Sequence, residues 1–401
     1  MQAARSRKRI IASLGATQIM AWGSLFYAFS VLGPEILREL GWRPELVFGA
    51  FSWGLLVSGL AATPAGALID RYGGARVMSA GSLLCGAGLI LLSRSYALAS
   101  YYAAWTLLGI GMSATLYEAA FATINRELRE RARAGISTLT LFGGFASTVF
   151  WPLTVKLDAA LGWRDTYLVY GLLQLVLCLP LHLTLPRRNV SNTAKVKPGA
   201  QPDFRLKDAL RLRAFWLLAA AFALNSFVFT GLAVHLIPLL RRLGHPLAPV
   251  VFWTAVIGPM QVLGRIGEMR FAGRMLPQRV GRFTFALLPL SLGLLLLAGG
   301  WLPTVALFCV LYGLSNGIMT IVRGTVPLQL FGHAHYGAIA GALAGPNLLC
   351  QAMAPLAIAS LLDGGLSPGR LLAGLLVVSM LSMSFFAVAT RKGKARGVSR
   401  S

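Results

Sequence analysis

The chain has 401 residues, of which 56% are hydrophobic and 12% are charged, whereas soluble proteins carry about 25% charged residues. This composition excludes an ordinary water-soluble protein and indicates a chain embedded in a lipid bilayer. The formal net charge of +24 would suit a nucleic-acid-binding protein. However, nearly all basic residues lie in short segments between apolar runs, so we expect no nucleic-acid partner.

The apolar residues form twelve runs, each long enough for a membrane-spanning helix, which needs about 20 residues. Barrel strands would be about half this length, and open strands would leave backbone groups without hydrogen bonds in the bilayer. We therefore predict an all-α membrane protein. Spans 1 to 12 are predicted at residues 10–33, 46–68, 77–93, 99–123, 136–157, 166–185, 214–238, 248–269, 282–300, 303–326, 336–361 and 370–390.

Lys and Arg residues outside the predicted spans are divided unequally between the two sides of the membrane. An even number of spans places both termini on one side, and that side holds most of the basic residues. By the positive-inside rule we expect both termini to be cytoplasmic, in a cell membrane that we suspect to be a bacterial inner membrane. The basic segments are residues 5–9, 126–133, 187–213, 270–282 and 391–400.

A long polar segment divides the spans into two groups of six. We assign residues 1–185 to an N-terminal six-helix bundle, residues 186–213 to a cytoplasmic linker loop, and residues 214–401 to a C-terminal bundle with a basic cytoplasmic tail. This arrangement predicts a fold built from two similar halves.

Similar residues recur in the two halves at an offset of 203 positions. A Leu-Gly pair that ends in Gly41 is repeated at Gly244, and Pro152 has a counterpart in Pro355. This repetition indicates two parallel, pseudo-symmetric six-helix repeats. Such repeats place the binding site near the membrane midplane, between the halves.

The turn between spans 2 and 3 contains Gly66, Asp70, Arg71, Gly73 and Arg76. This pattern resembles the signature loop of the major facilitator superfamily, which implies two six-helix bundles and secondary transport. A carboxylate at a helix end and an adjacent guanidinium can latch neighbouring helices at the cytoplasmic face, while the glycines permit a tight turn. The alternative is a basic loop that only reverses the chain.

Two shorter stretches resemble the monocarboxylate and oxalate/formate porters of that superfamily. Residues 40–43 read Leu-Gly-Trp-Arg, and Gln261 and Arg265 share one face of span 8, where monocarboxylate porters carry an Asp-x-x-x-Arg pair. The resemblance implies that Arg265 attracts an anionic substrate, while glutamine replaces the protonatable partner. The alternative is that Arg265 reaches the membrane interface or pairs with Glu268.

Glu118 is one of only two acidic residues that fall inside the predicted spans, the other being Glu268 near the end of span 8. A carboxylate inside a membrane is costly and usually functional. Thr115 and Asn125 share the helix face of Glu118, so this face should look into the bundle. Glu118 is therefore our first candidate for proton binding. The alternative is a permanently ionised carboxylate that pairs with an arginine and holds helices together.

In span 10, Asn316 and Arg323 belong to a second polar stripe, and the repeat places Arg323 at about the depth of Glu118. We hypothesise that Glu118 and Arg323 face each other across a central cavity, as a gate or as parts of the substrate site. Other polar residues could line the cavity or form hydrogen bonds between helices. They are Gln18 and Tyr27 in span 1, Asn225 in span 7 and Asn347 in span 11.

The sequence contains no evident cluster of metal ligands, phosphate-binding glycine loop or nucleophile–base pair, so we expect no enzyme, no cofactor and no metal. We predict a monomeric secondary transporter that moves a small organic anion by alternating access, with protons as the coupling ion. One alternative is an exporter of an amphipathic, drug-like compound. Another is a membrane sensor or scaffold that transports nothing.

Overall fold

The structure, a computed structural model, describes residues 2–186 and 203–391, with side chains from residue 7 onward. Most of the predicted linker, residues 187–202, and the basic tail, residues 392–401, lie outside the described residues. The described secondary structure is helical. The α-helices are Gln2–Trp22, Ala28–Leu40, Pro44–Tyr72, Gly74–Ser93, Leu98–Thr115, Tyr117–Leu128, Ala132–Gly144, Ala146–Leu173, Leu179–Leu183, Leu206–Leu210, Arg213–Arg242, Leu247–Gly267, Pro277–Ala298, Leu302–Phe331, Tyr336–Asp363 and Pro368–Ala389.

In the described ranges, three π-helical turns continue the α-helices that precede them. They are Gly23–Tyr27 in span 1, Gln174–Cys178 in span 6 and Glu268–Ala272 in span 8. Several helices extend beyond the apolar runs of the sequence. The helix of span 2, Pro44–Tyr72, has 29 residues, because the polar residues at its end stay helical past the apolar core.

The prediction of twelve spans is confirmed. Within the described residues, ten continuous helical stretches are long and apolar enough to cross a membrane, and one of them, Leu98–Leu183, has 86 residues. A straight helix of that length would measure about 130 Å, several times the bilayer core of about 30 Å. Arg129, with φ 42°, and Gly162, with φ 77°, reverse the chain inside this stretch and divide it into spans 4, 5 and 6.

The positions of left-handed backbone support the two-fold repeat. Of the seven described residues with positive φ, six form three pairs, and the members of each pair are 203 positions apart. The seventh, Gly73, makes the tight turn between spans 2 and 3. A side chain strains this conformation, so it is uncommon outside tight turns. Its recurrence at matching positions indicates that the two halves turn in the same way. The pairs are Gly41 with Gly244, Arg129 with Gly332, and Gly162 with Gly365.

The two halves meet most closely along spans 2 and 11. The Cβ atom of an alanine at Gly66 would overlap the carbonyl oxygen of Gly337, and one at Gly341 would overlap the carbonyl oxygen of Ala62. Small residues at such positions let helix backbones approach each other in a membrane. The halves therefore share a close backbone contact and are not held together by long side chains alone.

Hydrogen bonds and ion pairs join the described parts of the halves at one end of the bundle. We call this end, which holds the first and last described residues, the terminal side. The contacts are those of Asp70 with span 11, of Asn125 with His333, and of Arg133 and Ser137 with span 8. The structure therefore represents a state in which the halves are closed at the terminal side.

Candidate functional site

A cavity of about 50 Å³ lies where spans 1, 2, 4, 10 and 11 meet, between the two halves. This is where the repeat predicts a binding site. Three of the sequence candidates, Glu118, Arg323 and Asn347, line it together. The other polar lining residues are Ser58, Thr320 and Gln351, and the aromatic ones are Trp22, Phe26, Tyr117 and Phe121.

Glu118 owes its position to a break in span 4. The helix stops at Thr115 and resumes at Tyr117, and Leu116 between them is extended, with φ −77° and ψ −166°. Glu118 thus lies in the first turn of a helix, where the helix dipole favours a negative charge. Gln18 donates from Nε2 to the carbonyl oxygen of Thr115 at 2.6 Å. Its role in the structure is to satisfy a backbone group that the break exposes.

Arg323 is held by a short chain of polar groups from spans 7 and 11. Its Nη2 donates to the hydroxyl of Ser226, which in turn donates to Oδ1 of Asn347. Its Nε is buried and has no partner among the described residues. Glu118 is close enough to Arg323 for their charges to interact, but the ion pairs of the described residues do not include this one.

Arg265 lies on the terminal half of span 8 and points into the interface between the halves. Arg265 is only 6% exposed, and its Nε and Nη1 atoms have no hydrogen-bond partner in the described part of the chain. Glu268 does not pair with it. Instead, Glu268 accepts from Nη2 of Arg133 at 2.8 Å and from Ser137 at 3.0 Å. The alternative in which Arg265 is neutralised by Glu268 is therefore not the arrangement in this structure.

Aromatic side chains connect Arg265 with the central cavity. Tyr27 and Tyr117 are both close enough to Arg265 for its charge to act on their phenol groups. The ring of Trp22 lies 5.1 Å from that of Tyr117 and 6.4 Å from that of Tyr27, centroid to centroid. Tyr27 was predicted from the sequence as a candidate, whereas Tyr117 was not. The only available signal was that Tyr117 directly precedes Glu118 in the sequence.

The remaining sequence candidates lie outside the cavity lining. Asn225 is fully buried, and neither atom of its side-chain amide has a partner among the described residues. The backbone carbonyl of Gln261 packs against Gly317 of span 10. The backbone carbonyl of Asn316 accepts from the hydroxyl of Thr320 at 3.3 Å. Across the described ranges, no three His, Cys, Asp or Glu side chains are grouped closely enough to hold a metal ion.

The turn between spans 2 and 3 contacts the opposite half through the carboxylate of Asp70. Asp70 accepts from the backbone N–H groups of Gly337 at 3.0 Å and Ala338 at 2.9 Å, at the N-terminus of span 11. Arg126 donates to the backbone carbonyl of Asp70. Arg71 lies over the ring of Tyr72 at 5.0 Å. Arg76 is exposed, and Gly66 and Gly73 are buried.

A second polar contact at the terminal side joins span 4 to the turn before span 11. Asn125 donates from Nδ2 to the carbonyl oxygen of His333 at 2.8 Å, and its Oδ1 lies 2.6 Å from Nδ1 of the same histidine. Burial lowers the pKa of His333 and Arg129 adds to this effect, whereas Asp203 and Glu130 oppose it. The neutral ring is therefore the form that suits the closed state.

The sequence matches the family model described as Major Facilitator Superfamily over residues 14–355. Monocarboxylate transporter 3 of Rattus norvegicus is 28% identical over 314 residues, which are 76% of this chain and 61% of that relative. The chain thus spans less than two thirds of this relative's length. Monocarboxylate transporter 13 of Bos taurus is 24% identical over 317 residues, which are 78% of this chain and 71% of that one.

Solved structures with the same architecture cover nearly the whole chain. The structure of FucP in the outward conformation has a TM-score of 0.76 at 13% identity and covers 96% of this chain and 100% of that one. The human organic anion transporter MFSD10 (TETRAN) has a TM-score of 0.72 at 16% identity and covers 94% and 99%. At these identities the likeness concerns the fold alone. The family match shows that the chain belongs to the major facilitator superfamily, and its spans make it a multi-pass membrane protein.

Proposed function

We propose that the protein carries a small, monocarboxylate-like organic anion together with protons. The observation that carries this proposal is the buried guanidinium of Arg265, whose Nε and Nη1 atoms have no hydrogen-bond partner among the described residues. A buried charge is costly unless it is paired. A substrate carboxylate would supply the missing acceptor through forked hydrogen bonds. The relatives named as monocarboxylate transporters support the same substrate charge.

Proton coupling is assigned to Glu118 and Arg323 in the central cavity. While Glu118 is ionised, its negative charge offsets that of Arg323. Protonation removes this charge, so the cavity becomes more positive and attracts an anion more strongly. Because coupling between two bound ligands is reciprocal, the anion in turn favours proton binding. Anion binding and proton binding are therefore linked, although the anion binds to Arg265 and the proton to Glu118.

Transport in this proposal alternates between two arrangements of the six-helix halves. The present state is closed at the terminal side by the contacts of Asp70, Asn125 and Arg133. Opening that side requires all three to separate. The excess of basic residues there supports a cytoplasmic assignment by the positive-inside rule, and we place the protein as a monomer in a bacterial inner membrane.

A thermal-shift screen of the purified protein tests the substrate charge. Small carboxylates, zwitterions and organic cations are added at two pH values, since a ligand stabilises the state that it binds. We expect carboxylates to raise the melting temperature, more strongly at the lower pH. Stabilisation by cations and none by carboxylates would overturn the proposal. It would favour an exporter of amphipathic compounds, for which the aromatic lining of the cavity is also suited.

The proton role has a separate test in Glu118→Gln. The amide has nearly the shape of the carboxyl group but cannot be ionised, so we expect anion binding that no longer depends on pH. Uptake into proteoliposomes at several pH values provides the measurement, with the amount of reconstituted protein as the control. Wild-type pH dependence in the variant would refute the assignment of the proton to Glu118.

A further inference from the structure

Two consecutive glycines of span 5, Gly143 and Gly144, lie against the polar ends of two side chains from other spans. The Cβ atom of an alanine at Gly144 would overlap Nη1 of Arg265 and lie 3.2 Å from its Cζ. A Cβ at Gly143 would overlap the hydroxyl of Tyr117 and lie 2.7 Å from the ring carbon that carries it. Carbon atoms in good contact are about 3.5–4.0 Å apart.

The phenol of Tyr117 and the guanidinium of Arg265 therefore leave no room for a side chain at Gly143 and Gly144. The α-helix Ala132–Gly144 also ends here and resumes at Ala146. No hydrogen bond from Nε or Nη1 fixes the place of the Arg265 guanidinium, because neither atom has a partner among the described residues. Contact with a bare backbone is thus what locates its guanidinium.

We infer that Gly143 and Gly144 are positioning residues, which we call the glycine pair, and that they hold the donors of Arg265 and Tyr117 side by side for the substrate anion. This inference rests on the proposed role of Arg265. Nothing in the glycine pair touches the anion itself. Its contribution is the absence of side chains, which lets two donors from different spans reach the same place.

The glycine pair also ties anion recognition to the closed state. Gly144 belongs to the N-terminal half, as does Tyr117, whereas Arg265 belongs to the C-terminal half. The arrangement is therefore complete only while the halves touch at this level. Gly144 lies about 18 Å along span 5 from Ala132, at a rise of about 1.5 Å per residue, and hence near the middle of the bilayer core of about 30 Å.

The test is Gly144→Ala, with Gly258→Ala as the matched control. Gly258 lies on span 8, within a helix, and no atom comes within 4 Å of a Cβ placed there. Both variants add one methyl group and both gain helix propensity, but only the first displaces a guanidinium. Binding of formate, acetate, pyruvate and benzoate is measured by titration. We expect at least tenfold weaker binding of the tightest acid for Gly144→Ala and less than a twofold change for Gly258→Ala.

A double-mutant cycle separates positioning from general damage. Lysine has no Nη1 atom, so Arg265→Lys should remove the overlap with an added methyl group. We expect Gly144→Ala to lower the melting temperature of the ligand-free protein when residue 265 is arginine, and to leave it unchanged when it is lysine. This measurement needs no bound substrate.

Each result then decides one claim. Equal losses of melting temperature in both backgrounds would show that Arg265 does not rest on Gly144, and would overturn the inference. So would carboxylate affinities that are equal in Gly144→Ala and Gly258→Ala. Wild-type carboxylate binding by Arg265→Lys would instead overturn the proposed function, because the arginine would then not be the anion-binding group.

Discussion

Arg133→Ala is expected to open the terminal side. In the structure Arg133 donates to the carboxylate of Glu268 at 2.8 Å and to the carbonyl oxygen of Ala272 at 2.9 Å, across the interface between the halves. Without it, the closed state keeps the Glu268 carboxylate buried, and the hydroxyl of Ser137 is its one remaining side-chain donor among the described residues. In an open state the same carboxylate contacts water.

The magnitude follows from the burial of the two partners. Removing one partner of a buried ion pair costs about 3–5 kcal/mol. The Glu268 side chain is 2% exposed but that of Arg133 is 22% exposed, and Ser137 continues to donate, so the lower end of about 3 kcal/mol applies. This penalty falls on the closed state alone. Since 1.36 kcal/mol corresponds to a factor of ten, the open population should rise about 100-fold.

Thiol labelling of Ile136→Cys measures that population. Ile136 is fully buried and faces Gly324 of the other half, so a cysteine there reacts only after the halves separate. Arg133→Ala should accelerate the labelling by about two orders of magnitude. Arg131→Ala, which removes an exposed neighbouring arginine, should leave it unchanged. Equal rates in wild type and Arg133→Ala would refute the claim that this ion pair holds the terminal side closed.

Three further predictions use the same labelling assay. Gly341→Ala should keep the halves apart and accelerate labelling, because its methyl group meets a backbone carbonyl of span 2. Gly374→Ala, where no atom lies within 4 Å of the added methyl group, should label as fast as wild type. Similar labelling rates for the two variants would contradict this prediction. Asp70→Asn loses the attraction between a carboxylate and the N-terminus of span 11, worth about 0.3–1 kcal/mol, so labelling should rise a few-fold, and an unchanged rate would count against the latch. Because burial lowers the pKa of His333, this imidazole binds a proton less readily in the closed state than in the open one, and its contribution should lower the stability of the closed state as the pH drops below about 6.5. His333→Gln should reduce this acid-induced increase in labelling, and a wild-type response would exclude the histidine as its source.

Most of the architecture was predictable because the bilayer imposes it. A span needs about 20 apolar residues regardless of its neighbours, so local composition was enough to find the twelve spans. The repeat was visible as well, since positions that demand left-handed backbone, such as Gly41 and Gly244, recur at a fixed offset. These features depend on short stretches of sequence and on the solvent, which are both known without the structure.

The candidate site was harder to predict from the sequence because it depends on contacts between distant parts of the chain. Nothing near Glu268 in the sequence indicates that it pairs with Arg133, which is 135 positions away. The break at Leu116 was equally hidden, because leucine is a good helix former and the carbonyl that the break exposes is satisfied by Gln18 from span 1. Arg265 was identified by resemblance, but only the structure shows that it has no counter-ion within the described residues.

Counterflow in proteoliposomes tests the central claim most directly. Vesicles that contain the purified protein are loaded with an unlabelled monocarboxylate, and the entry of the same labelled acid is followed for wild type and Arg265→Lys. The account predicts rapid entry for wild type, competition by other small carboxylates but not by organic cations, and at least tenfold slower entry for the variant. Equal entry for both proteins, or competition by cations alone, would contradict it.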